Sequence, residues 1–74
     1  MVTVKVVHKS TGKPAKAERV SIGFSAITRG VASAEYTDDD GEAHFDADPG
    51  EGTVYVHGQS RFTGRIAGRV VVYI

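Results

Sequence analysis

Residues 36–46 read YTDDDGEAHFD, and their chemistry decides the class of fold. Asp40-Gly41 stands between two extended runs. Glycine takes up the positive φ of a tight turn, and short Asp side chains bond nearby backbone amides, so the stretch predicts a β-hairpin. A strand over Val31–Thr37 leads into the turn, and a short strand over Glu42–Ala47 leaves it with Ala43 and Phe45 on one face.

The same alternation extends outward in both directions. Toward the N-terminus, residues 1–8 read MVTVKVVH, with Val2, Val4 and Val6 alternating with Thr3, Lys5 and Val7, the period of a half-buried strand. Residues 9–16, KSTGKPAK, are a connection rich in turn residues. A second run sets Val20, Ile22 and Phe24 inward against Arg19, Ser21, Gly23 and Ser25, and Thr28-Arg29-Gly30 ends it. Toward the C-terminus, residues 48–52 (DPGEG) form another turn. Thr53–His57 is a strand with Val54 and Val56 inward and Tyr55 and His57 outward. Gly58–Gly64 reads as a loop containing Phe62, and Arg65–Ile74 as the last and longest strand. Strand candidates at this spacing predict one all-β domain over residues 1–74, a small antiparallel β-sandwich of about six to seven strands.

Composition agrees. The 74 residues include 11 Val and 4 Ile but no Leu, a core vocabulary that suits pleated sheets better than helices. A chain this short leaves a marginal core, and with no Cys it has neither disulfides nor thiolate ligands. The remaining sources of stability are strand pairing, neighbouring domains or self-association. The longest apolar run, Val70–Ile74, is far too short to span a bilayer, and Lys5 and His8 interrupt any leader-like N-terminus, so neither membrane insertion nor a signal peptide is expected.

Formal net charge is zero, which argues against a general polyanion binder. Residues 1–30 hold six Lys/Arg and one acid, residues 31–60 eight acids and no Lys or Arg, and residues 61–74 three Arg. Either this is ordinary solvated surface, or oppositely charged faces attract a partner or a second copy. Arg61, Arg65 and Arg69 recur every fourth residue. On one continuous strand they would share a side with Tyr73, as in single-strand nucleic-acid binders. Gly64 and Gly68 interrupt that run, and no nucleic-acid partner is expected.

Three landmarks, taken together, resemble the transthyretin-like and carboxypeptidase-regulatory-like superfamily. VKVVHKSTGKPAKAERVSIGF is similar to its opening strand, T-G-x-P-A turn and second strand. YTDDDGEAHFD resembles its T-D-x-x-G-x-A-x-F hairpin, and PGEGTVYVHG its glycine-led strand; the three cover about residues 2–58. The resemblance implies a prealbumin-like or immunoglobulin-like Greek-key sandwich. It places the first catalytic histidine of the family's hydroxyisourate hydrolases at Lys5. The C-terminus, Val-Val-Val-Tyr-Ile, lacks their Tyr-Arg-Gly-Ser tail. In the ligand-binding members the same position is a lysine lining a channel between subunits, and the regulatory-like members are mostly non-catalytic modules of larger assemblies.

The remaining candidates for chemistry are few. His8, His44 and His57 show no short-range ligand spacing and read as surface histidines. Asp38, Asp40 and Glu42, with Asp39, crowd carboxylates into one turn, which suits a hard cation. Consecutive aspartates diverge, however, where a calcium loop alternates its acids, so a hydrogen-bonded turn is the plainer account. Ser/His/Asp triads have no support without geometry, and no phosphate-binding loop is present. No cofactor is expected. Arg65–Ile74 is apolar on both faces toward its end, and Val7, Tyr55, Val71 and Tyr73 are assigned outward. Such a patch marks an interface, unless the chain's own loops cover it. The expected function is a non-catalytic interaction module acting through a protein partner or as a homo-oligomer. The alternative is a small-molecule binder with its ligand held between subunits near Lys5, and a hydrolase comes third.

Overall fold

The computed structural model describes residues 1–24 and 31–74. Among them lie seven strands: β1 (Val2–Val7), β2 (Arg19–Phe24), β3 (Val31–Tyr36), β4 (Glu42–Phe45), β5 (Gly50–Val56), β6 (Gln59–Ile66) and β7 (Arg69–Tyr73). They build two sheets, β4-β1-β7 and β3-β2-β5-β6, so the chain is an all-β sandwich. Ser25 and the break expected at Thr28-Arg29-Gly30 fall outside the described residues.

The alternation read from the sequence is the alternation of burial. Val2, Val4 and Val6 of β1, Val20 and Ile22 of β2, Ala43 and Phe45 of β4, Val54 and Val56 of β5, and Val70 and Val72 of β7 all pack into one cluster. The two sheets bury these faces against each other, and the residues between them point to water. Burial of a Val or Ile side chain stabilises by about 1.5–3 kcal/mol, which explains why so short a chain concentrates β-branched residues here.

The Asp-Gly turn is not a hairpin. β3 pairs with β2 and β4 pairs with β1, so residues 37–41 carry the chain from one sheet to the other. The local chemistry is as read: Gly41 has φ +75, and its N–H donates to the Asp38 carbonyl at 2.9 Å. The partner is set by long-range contact instead. The Val6 N–H donates to the Gly41 carbonyl at 2.7 Å, which draws the turn onto β1. A side chain at Gly41 would put its Cβ 2.6 Å from the Val6 carbonyl oxygen.

Two further readings are corrected. Residues 59–64, taken for a loop, belong to β6, which pairs with β5 across the two-residue turn His57-Gly58. Both turn residues have positive φ, 53 and 78, the geometry of the type I′ hairpin whose twist matches that of strands. Histidine in the first position hides that signal. The expected long final strand is two strands: Ile66 ends β6 in one sheet, Ala67-Gly68 turn the corner with Gly68 at φ +57, and Arg69 begins β7 in the other. β7 runs parallel to β1, the one strand pairing among the described residues that is not antiparallel.

Thr37 ties the sheet change between β3 and β4 to the 15–18 loop. It is the buried polar residue among those described, 6% exposed. Its hydroxyl donates to the Ala15 carbonyl at 2.6 Å and accepts the Glu18 N–H at 2.9 Å. Main-chain bonds from Ala17 to Thr37 and from Thr37 to Glu18, both 3.0 Å, complete the lock.

Candidate functional site

The outer face of the three-stranded sheet gathers most of the functional candidates. Register sets them in rows across the strands: His44, Thr3 and Arg69 in one, and Glu42, Lys5 and Val71 in the next. Val7 and Tyr73 pair in the third. Lys5, Val71 and Tyr73 therefore share one surface, with Val71 43% and Tyr73 56% exposed on the edge strand β7. Val7 stands beside Tyr73 but is buried, where Pro14 bridges to it, and contributes little open surface. Tyr55 is elsewhere. It lies on β5 of the other sheet, with its ring edge 3.3 Å from where a Cβ on Gly23 would sit, and so covers the gap that glycine leaves.

The arginine series also divides. Arg61 and Arg65 are on β6, with Arg61 the extra residue of a bulge opposite Val54 and Tyr55, whereas Arg69 is on β7 in the other sheet. No single basic stripe forms. A charged and bulged β6 instead protects the sheet edge it occupies.

At the β4 end of the outer face, three side chains converge. Asp38 comes from the sheet-changing turn, and Glu42 and His44 from the same face of β4, two residues apart. His44 Nε2 lies 3.8 Å from Asp38 Oδ2 and 3.9 Å from Glu42 Oε1. One nitrogen or carboxylate oxygen from each residue falls within 4.8 Å of the others. Their remaining polar atoms are engaged elsewhere. Asp38 Oδ1 accepts the N–H groups of Asp40 at 2.9 Å and Glu42 at 3.0 Å. Glu42 Oε2 is 3.2 Å from Arg69 Nη2, and His44 Nδ1 is 2.9 Å from Thr3 Oγ1. The Glu42 N–H is the main reason the Asp38 carboxyl is held below its ordinary 3.8; loss of hydration opposes it, and the Asp40 amide and nearby His44 add to the lowering.

Of the three turn acids singled out as weak cation ligands, Asp38 and Glu42 meet, while Asp40 supplies a backbone N–H. His44 takes the third place. Alternation places Glu42 and His44 on one face of β4, and the signal missed was the cross-strand pairing of Thr3 with His44. His57, also read as an ordinary surface residue, has Nε2 2.6 Å from Glu18 Oε1, which pins the β5–β6 turn to the 15–18 loop. No helix among the described residues is long and apolar enough to cross a membrane. No protein-family model, curated protein or solved structure matches this chain.

Proposed function

We propose that this β-sandwich is a non-catalytic interaction module of the transthyretin-like and carboxypeptidase-regulatory-like kind, working through protein contacts in a larger assembly or by self-association. One observation carries the reading: Val71 and Tyr73 stand exposed on the outer face of an edge strand, with Lys5 paired across from Val71. An edge strand offers free main-chain groups, and an aromatic beside an aliphatic side chain supplies the apolar centre that protein interfaces favour. The polar cluster at the opposite edge, β4, gives the same face a charged margin.

The test is the solution mass by light scattering, from about ten micromolar to about one millimolar, the range of weak protein contacts. It is run on the chain and on Tyr73→Asp. The reading expects association, or limited solubility, that the aspartate relieves. If Tyr73→Asp leaves both mass and solubility unchanged, this face is not the interface.

A further inference from the structure

We propose that Asp38, Glu42 and His44 form a binding site for a divalent transition-metal ion of the zinc type. The site stands apart from the interaction reading and does not depend on it. Side chains of three residues converge through Asp38 Oδ2, Glu42 Oε1 and His44 Nε2, and each of these atoms is left facing the others because its neighbour on the same group is already held. Two backbone amides hold Asp38 Oδ1, Arg69 holds Glu42 Oε2, and Thr3 holds His44 Nδ1. The Thr3 hydroxyl bonds Nδ1, so Nε2 is the imidazole nitrogen that faces the two carboxylate oxygens. In the tautomer that carries its proton on Nδ1, Nε2 is free to ligate an ion placed between them.

The outer partners are of the kind metal sites use to orient ligands: a hydroxyl on the far imidazole nitrogen and a guanidinium on the far carboxylate oxygen. The spacing is close to what an ion needs. Bonds of about 2.0–2.2 Å in a tetrahedral site set ligand atoms roughly 3.4 Å apart. The observed 3.8 and 3.9 Å separations close to that value by side-chain rotation of about half an ångström. The imidazole selects the metal. A nitrogen with two carboxylates suits zinc, nickel or copper, whereas calcium seeks six or more oxygens, which these three side chains do not supply. Water completes the coordination at this exposed position.

The experiment is calorimetric titration of Zn²⁺ into the untagged chain near neutral pH, with Ca²⁺ in parallel, on the chain and on His44→Ala, Thr3→Val, His8→Ala and His57→Ala. The expected result is one Zn²⁺ per chain. His44→Ala abolishes it, Thr3→Val weakens it about tenfold or more, and the other two histidine variants leave it unchanged. In NMR spectra of the unsubstituted chain, Zn²⁺ shifts the ring signals of His44 and not those of His8 or His57, a readout free of any folding defect in a variant. No binding by one millimolar Zn²⁺, binding that survives in His44→Ala, or Ca²⁺ binding as tightly as Zn²⁺ overturns the proposal.

Discussion

Replacing Thr37 with valine isolates a hydroxyl at nearly constant shape. The substitution removes the donor to the Ala15 carbonyl, in a residue with no exposed surface, and the acceptor for the partly accessible Glu18 N–H. A buried polar group left unpaired costs about 1–3 kcal/mol. Glu18 falls at the low end because water reaches it in part, so the two losses total about 2–4 kcal/mol. The added methyl recovers about 0.8 kcal/mol by burial. The expected net loss is therefore about 1–3 kcal/mol, against about 4–11 kcal/mol for a domain of this length. Urea unfolding followed by circular dichroism measures it: the midpoint falls while the slope holds, and Tm drops by about 5–25 °C. Thr37→Ser keeps the hydroxyl and loses only a methyl, so it costs about 1 kcal/mol. If Thr37→Val lies within about 0.5 kcal/mol of the parent, or Thr37→Ser costs as much as Thr37→Val, the hydroxyl does not hold the corner and the reasoning fails.

Gly52→Ala would place a Cβ 2.5 Å from the Gly23 carbonyl oxygen, main chain that cannot step aside, so the β2–β5 pairing loosens and stability falls by about 1–3 kcal/mol in the same assay. Ala17 has φ 54, where an L side chain is strained by about 1–2 kcal/mol, and glycine removes that strain at some cost in unfolded-state entropy. Ala17→Gly is accordingly expected to raise the denaturation midpoint, and a lowered midpoint contradicts the assignment. Because the folded-state pKa of Asp38 is depressed below 3.8, its contribution is complete above the unfolded value and is lost as pH falls through the folded one. Stability measured from pH 6 down to pH 2 should decline below about pH 4, and Asp38→Asn should flatten that decline while leaving the other carboxylates to titrate.

Strand identity was legible wherever one face is buried and the side chains alternate. Val2, Val4 and Val6, or Val54 and Val56, report a face directly, because period two is a property of the pleat and needs no knowledge of the partner strand. Residues 59–64 were missed for the complementary reason. β6 is an edge strand with mostly exposed residues: Phe62 and Ile66 share one face, but Gly64 stands between them and the bulge at Arg61 breaks the pattern before them. The Ala67-Gly68 corner was missed because a two-residue turn preserves parity. Ile66, Val70 and Val72 all face the core, although they belong to different sheets.

The sheet change at residues 37–41 joins the fold to the candidate site. Asp40-Gly41 chemistry specifies that the chain reverses, and it cannot specify which sheet receives the next strand. Had β4 returned beside β3, its outward residues would have faced β3 rather than β1. As built, β4 lies against β1, and the Thr3–His44 pairing supplies the hydroxyl that fixes the imidazole. The parallel arrival of β7 on the far side of β1 brings Arg69 opposite Thr3 and onto Glu42. Asp38 reaches the same place from the turn, with one carboxylate oxygen already spent on the amides that shape it. The three ligand atoms thus come from one local stretch, residues 38–44, and their orientation comes from two distant strands. That division explains why Asp38 and Glu42 could be picked out of the sequence while His44 and the common focus could not.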